Sequence, residues 1–342
     1  MRLPFVSSKS FGVDLGTSNS LVWAVGSGVV LSEPSVVAID ANTGKVIAVG
    51  ADARDMLGRT GTNLIAQKPL KDGVVADYFV CEAMLKYFIN KVMAGTGISK
   101  FFRPQVMVCV PSGITQVERR AVLEATVAAG AKSAYLIDKT LAAAIGSKLP
   151  IEAAYGSMIV DIGGGQVGAA VVSLGGIVAS DSVRAGGAKI DEAIVAYIRR
   201  AHNLIIGERM AEEIKVKIGC AVPVHPKKTM DVKGRDAVMG LPKSVIVDSD
   251  EVAAAIAPII NLIVSCIKNV LEQTPPELSS DIIDRGMVLT GGSSQLRGLD
   301  RLITSQTNVP AQVAEDPIHA VVYGAGIALE NIDVWKKMLI SR

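Results

Sequence analysis

Two short segments of this chain hold residue types that can bind a phosphate chain and a divalent cation. The first is Asp14-Leu15-Gly16-Thr17-Ser18-Asn19-Ser20, and the second is Asp161-Ile162-Gly163-Gly164-Gly165-Gln166-Val167. Each follows a short apolar run (11–13; 158–160) and precedes another (21–25; 169–172). That pattern predicts strand, tight turn, strand, with an aspartate leading into the turn. Glycine lets the backbone bend sharply and turn its N–H groups outward, where they bind anions. A neighbouring carboxylate suits a hydrated Mg²⁺, which keeps several waters and takes few protein ligands. Two such hairpins facing each other would grip a polyphosphate from both sides.

The elements that must position these turns come in two related sets. The two aspartates are 161 − 14 = 147 positions apart. In the first half, residues 34–49 read as a small strand-rich lobe. Residues 82–92 read as a helix with Met84, Leu85, Phe88 and Val92 on one stripe. A strand is expected at 106–110. Thr115-Gln116-Val117-Glu118 matches a capping box before a helix ending at Gly130. A strand at 135–137 and an alanine-rich helix at 141–147 follow. In the second half, helices are expected at 190–201, 207–219, 252–272 and 316–329, with a strand at 287–289. The stretch Thr290-Gly291-Gly292-Ser293-Ser294 repeats the strand-turn-helix pattern, and the polar segment 223–243 reads as an inserted lobe. Strands alternating with helices predict an α/β architecture.

Bulk properties narrow the function. A chain of 342 residues has room for two domains. A formal net charge of +2 argues against a broad nucleic-acid footprint, which needs clustered Lys and Arg. Four scattered cysteines (Cys81, Cys109, Cys220, Cys266) with no CxxC pair predict buried thiols in a reducing compartment and argue against zinc. The three histidines are equally scattered. Residues 1–6 are broken by Pro4 and lack the apolar core of a secretory signal. The longest apolar stretch, 252–267, is interrupted by Pro258, Asn261 and Ser265 and falls short of the roughly 18–20 residues that span a bilayer. A buried helix is expected there. The mean hydropathy of +0.39 is high, which predicts a large core or apolar surface reserved for a partner or membrane.

Taken together, these segments resemble the actin-like ATPase superfamily, and within it the MreB family of bacterial cell-shape filament proteins. The resemblance runs over almost the whole chain. Besides the two Asp-Gly turns it rests on Leu31-Ser32-Glu33-Pro34-Ser35-Val36-Val37-Ala38, Val110-Pro111-Ser112-Gly113-Ile114-Thr115 and Ile206-Gly207-Glu208-Arg209. Thr274-Pro275-Pro276-Glu277-Leu278 and Leu289-Thr290-Gly291-Gly292 complete the ordered set. A lone Asp-x-Gly is an ordinary turn; the order and spacing carry the resemblance.

The resemblance implies an α/β, actin-like (ribonuclease H-like) two-domain fold, each domain a mixed sheet with flanking helices and an inserted small lobe. Domain I would comprise a large lobe (1–32, 66–146, 317–342) and a small lobe (33–65). Domain II would comprise a large lobe (147–178, 250–316) and a small lobe (179–249). It also implies ATP or ADP with Mg²⁺ in a cleft between the domains. Thr17, Ser18 and Asn19 would hold the phosphates from one side and Gly163, Gly164 and Gly165 from the other. Asp14 and Asp161 would hold the metal through water. Glu212, Glu213 and Lys215 would flank the adenine and ribose, with Gly291, Gly292 and Ser293 on the opposite side. Ser293 stands where the family usually has a third glycine.

The pattern departs from the family at the position tied to hydrolysis. Relatives carry a Glu-Pro pair just before the alanine-rich helix, and its glutamate orients the attacking water. Here the stretch is Leu136-Ile137-Asp138-Lys139-Thr140, with Lys139 in the glutamate's place. A charged lysine has three donors and no acceptor. Gln166 and Val167 replace the usual hydroxyl residues of the second turn, and Gly168 the acid beyond them. Either Lys139 holds the γ-phosphate as a point charge, or Asp138 or another acid substitutes for the glutamate through a local shift. Weak or absent hydrolysis is expected.

The resemblance further implies filaments of this protein, alone or with an active paralogue. They would lie on the cytoplasmic face of the inner membrane beside cell-shape or wall-synthesis membrane proteins, with no nucleic acid as partner. In Ile98-Ser99-Lys100-Phe101-Phe102-Arg103, Phe101 and Phe102 would enter the lipid surface, with Leu3, Phe5 and Val6 as possible additions. The rival expectation is a non-polymerising, chaperone-like or kinase-like ATPase of the same superfamily. No P-loop GxxxxGK[ST] is present, and no GxGxxG follows a strand.

Overall fold

The computed structural model describes residues 10–59, 61, 63–95, 103–335 and 340–341. These fall into two compact units. The first lies within Met1–Ala154, Val172–Ile177 and Ile318–Arg342, and the second within Tyr155–Val171 and Val178–Pro317.

The first unit is built on a six-stranded sheet in the order Ile340–Ser341, Ser133–Asp138, Gln105–Val110, Ser10–Leu15, Asn19–Ala24, Gly28–Pro34. Ser10–Leu15 runs parallel to Gln105–Val110, which runs parallel to Ser133–Asp138. Asn19–Ala24 folds back antiparallel on Ser10–Leu15, and Gly28–Pro34 on Asn19–Ala24. The central strands are covered on both faces, which is why they read as near-continuous apolar runs. The core gathers Phe11, Val13, Val106, Val108 and Leu136 with the helix Tyr78–Gly95. That helix contributes the expected stripe of Met84, Leu85, Phe88 and Val92, each at most 4% exposed. The capping box forms as expected: Glu118 N–H donates to Thr115 Oγ1, and Thr115 N–H to Glu118 Oε2.

Helix Ala320–Glu330 packs against the strand Ser10–Leu15 and the helix Lys139–Gly146. The approach to the second helix is at backbone distance. A Cβ on Gly324 would overlap the Ala142 carbonyl, and one on Gly146 would overlap the Ala320 carbonyl. Only glycine fits at both positions. This helix begins at Ala320 rather than at 316, because residues 316–319 form a turn whose Pro317 carbonyl accepts from Gly291 N–H at 2.7 Å. The strand-rich lobe appears as a three-stranded sheet of Val37–Asp40, Val46–Val49 and Leu64–Gln67.

A second sheet, mostly within the second unit, repeats the same order of strands: Gly176–Val183, Val167–Ser173, Ser157–Ile162, Met287–Thr290, Ala311–Val313. The last three are parallel. Helices Gly187–His202, Glu208–Ile218 and Ser249–Gln273 pack in its core. Ser249–Gln273 is long and apolar enough to cross a bilayer by length and composition. Its stripe of Val252, Ile256, Ile260, Ile263, Ile267 and Val270 is instead buried in this core.

Two departures from the sequence reading have physical causes. The segment read as polar and turn-rich forms an antiparallel hairpin, Thr229–Asp236 with Pro242–Asp248. Only Val232 and Val247 of it are fully buried, so the strand alternation is faint. Helices Pro276–Arg285 and Leu299–Thr307 were not expected. Each is short, with one or two fully buried side chains, too few to show a period. All four cysteines are buried thiols, none in a disulfide. Burial pushes the Cys81 and Cys266 thiols up to about 12, so neither is a nucleophile near neutral pH.

Candidate functional site

In open α/β sheets, ligands bind outside the carboxyl ends of parallel strands. In the first unit that edge presents Asp14 and Leu15, then Ser112, then Asp138 and Lys139. Register explains the grouping: Asp14 and Ile137 both align with Cys109 on the strand between them. Lys139 is the first residue of its helix, and its Nζ lies 2.7 Å from Asp14 Oδ1. It also donates to the Leu15 carbonyl at 3.0 Å. The contact with Asp14 is one of charge and distance, since that oxygen accepts no hydrogen bond of good angle. Both side chains are mostly buried, 15% and 13% exposed.

Asp138 is committed to structure. Its Oδ1 accepts from Thr140 N–H at 2.8 Å, Thr140 Oγ1 at 2.6 Å, Leu141 N–H at 3.4 Å and Ser112 Oγ at 3.0 Å. That oxygen is the cap of the helix Lys139–Gly146. That oxygen is therefore committed to holding the helix start.

The turn itself is pinned from below. Ser35 Oγ donates to the Gly16 carbonyl at 2.5 Å and lies 2.8 Å from Ser20 Oγ, with both serines fully buried. Gly16 has no room for a side chain, because a Cβ would overlap the Asn19 carbonyl. Thr17 is buried, and its Oγ1 accepts from Gly73 N–H at 3.1 Å. Ser18 is half-buried and Asn19 exposed.

In the second unit the corresponding edge presents Asp161, the glycine turn and Thr290. Asp161 is 8% exposed, aligns with Thr290 and accepts from its Oγ1 at 3.1 Å. Three backbone segments converge here. Gly187 N–H donates to the Gly163 carbonyl at 3.0 Å, and Ala188 N–H to the Gly164 carbonyl at 2.7 Å. Ser293 Oγ donates to the Gly163 carbonyl at 3.1 Å. Gly291 (φ 81°) sits so close to Asp161 that a Cβ would lie 2.8 Å from Oδ1. Gly165 is buried in the turn and Gly292 is exposed beside Ser293. Lys215 lies 2.9 Å from Asp191 Oδ2 and donates to the Gly187 carbonyl at 3.2 Å.

The structure thus gathers Asp14, Thr17, Ser18, Asn19 and Lys139 in one unit. It gathers Asp161, Gly163, Gly164, Gly165, Lys215, Gly291, Gly292 and Ser293 in the other. Glu212 lies three residues before Lys215 on the same helix and is half-buried. Glu213 is turned elsewhere, with its carboxylate 2.5 Å from Lys217 on the exposed face. Val167, read as a lost phosphate hydroxyl, is fully buried in the core of its unit. Its identity therefore answers to packing. Phe101 and Phe102 lie outside the described residues.

Sequence reasoning assigned no individual role to Ser20, Ser35 or Thr290, and missed Asp191 and the pair Gly186-Gly187. The glycine pair before a helix was a readable signal, since a Cβ at Gly186 would sit 2.6 Å from two turn carbonyls. Asp191 carried no signal, because its partnership with Lys215 arises from two helices packing together.

Comparison with known proteins places this geometry in context. The family model described as MreB/Mbl protein matches residues 8–337. The cell shape-determining protein Mbl of Bacillus cereus is 48% identical over 327 residues, covering 95% of this chain and 97% of that protein. The cell shape-determining protein MreB of Escherichia coli is 50% identical over 333 residues, covering 96% and 95%. Among solved structures, MreB5 of Spiroplasma citri bound to ADP superimposes with a TM-score of 0.90 at 34% identity, over 97% of this chain and 99% of that one.

Proposed function

This chain belongs to the MreB/Mbl family and is an actin-like, cell-shape-determining cytoskeletal protein; on that premise we propose that it polymerises in response to adenine nucleotide. The reading rests chiefly on the duplicated station. Each unit offers an aspartate at the carboxyl end of a strand, followed by a tight turn, at corresponding points of two sheets with the same strand order. Each half-site is suited to the phosphates of a nucleotide, ATP or ADP. Thr17, Ser18 and Asn19 are the phosphate-binding residues of the first unit, and Gly163, Gly164 and Gly165 those of the second. Glu212, Lys215, Gly291, Gly292 and Ser293 surround the adenosine, and Glu213 stands at their margin. The relative MreB5 of Spiroplasma citri, bound to ADP in one crystal structure and AMPPNP in another, supports that ligand class. The sheets at 37–67 and 204–248 support small lobes at 33–65 and 179–249 within the two-domain division.

A nucleotide favours whichever conformation binds it more tightly, and on this reading that conformation is the one that assembles. Titration calorimetry with ATP and ADP, followed by electron microscopy of the nucleotide-loaded protein, tests this. Binding and filaments are expected. Absence of purine nucleotide affinity, even with magnesium, would overturn the reading. Binding without filaments would favour the chaperone-like or kinase-like alternative.

Filaments of this chain, alone or with an active paralogue, lie on the inner face of the cell membrane beside wall-synthesis proteins. Burying one Phe contributes about 1.5–3 kcal/mol, and a nearby Lys or Arg adds about 1 kcal/mol at an anionic leaflet. One subunit therefore attaches weakly through Phe101 and Phe102, and a filament attaches tightly by repetition. The double variant Phe101→Ser, Phe102→Ser is expected to lose liposome pelleting while filaments persist. Unchanged pelleting would exclude the loop.

A further inference from the structure

We propose that the Lys139 ammonium takes the station of the divalent cation at Asp14, so that this chain binds its nucleotide without requiring magnesium. The inference rests on the nucleotide reading above and goes beyond it.

The contacts of Asp14 decide whether magnesium fits. A hydrated magnesium ion needs the carboxylate oxygens as acceptors for its bound waters. Here Asp14 Oδ1 faces the Lys139 ammonium at 2.7 Å, and the same nitrogen covers the Leu15 carbonyl at 3.0 Å. Those are two of the acceptors a hydrated cation would use at this edge. An ammonium and a dication at one carboxylate oxygen repel each other, and both are short of water to screen them. The residues present therefore do not fit magnesium at Asp14.

The lysine's position also runs against local preference. The first turn of a helix carries partial positive charge and favours Asp or Glu. Lys139 opens its helix directly after the capping Asp138. A locally unfavourable residue held by a distant partner marks a functional position more often than a structural one. Asp14 is that partner. The ion pair leaves the station neutral where a lone carboxylate would repel a polyphosphate. It does with a covalently tethered charge what a carboxylate otherwise needs a dissolved cation to do.

The test is titration calorimetry of the purified full chain with ATP, in excess magnesium chloride and in excess EDTA. The wild-type affinity is expected to differ by less than about fivefold between the two conditions. Lys139→Ala is expected to lose about tenfold or more in EDTA and to recover with magnesium, because Asp14 is released. Lys139→Arg keeps the charge and is expected to remain indifferent to the metal. A wild type that binds ATP with magnesium but about tenfold or more weakly in EDTA overturns the inference and leaves the nucleotide reading standing. No binding in either condition overturns both. The wild-type comparison decides the matter even if a variant folds poorly.

Discussion

Gly324→Val is expected to cripple the first unit. The helix Ala320–Glu330 touches Lys139–Gly146 so closely that the new Cβ would overlap the Ala142 carbonyl, which cannot swing aside as a side chain would. Overpacking a core commonly costs about 1–3 kcal/mol, and a clash with helical backbone belongs at or above the upper end. The unfolding midpoint is expected to fall by roughly 5–10 °C, or the variant to be recovered insoluble. Gly61→Ala serves as the control, since a Cβ there meets nothing within 4 Å. A Gly324→Val protein with an unchanged midpoint would mean that the two helices can separate at little cost. The same clash pushes on the helix that presents Lys139, so nucleotide affinity should fall even where the fold survives.

Hydrolysis is the second large effect. With ATP and magnesium, phosphate release is expected to be about 10²–10⁴-fold slower than in a relative carrying the glutamate, the usual loss when a proton-handling group is removed. Lys139 has no acceptor while charged, and Asp138 Oδ1 is engaged as a helix cap. Lys139→Glu alone is expected to restore little, because Gln166 and Gly168 remain. Release at a relative's ordinary rate, lost in Asp14→Ala, would refute the prediction. Full recovery in Lys139→Glu would show that the second turn matters less than its sequence implies.

What the sequence revealed and what it hid follow from the range of the interactions. The two Asp-Gly turns, the stripe through Met84, Leu85, Phe88 and Val92, and the Thr115 capping box are local patterns, readable within one element. The substitution at Lys139 was also visible, because the resemblance supplied a reference. Its pairing with Asp14 was not. That contact depends on the parallel register that sets Ser10–Leu15 and Ser133–Asp138 on either side of one strand. Asp191 and Lys215 meet for a similar reason, through the packing of two helices. That Val167 faces the core was also hidden, because a position in a motif does not reveal which face of the strand it occupies. With a period of two, one face goes to the core, and Val167 is on it.

The close fit of Ala320–Glu330 against Ser10–Leu15 also bears on how the protein is made. Residues 178–317 of the second unit leave the ribosome before that helix does. The second unit can therefore complete its core while the first still exposes one side of its sheet, including Trp23, whose cluster includes Val322. Nascent chains would carry that uncovered apolar face until this helix emerges, and that interval is when a chaperone would have most to shield.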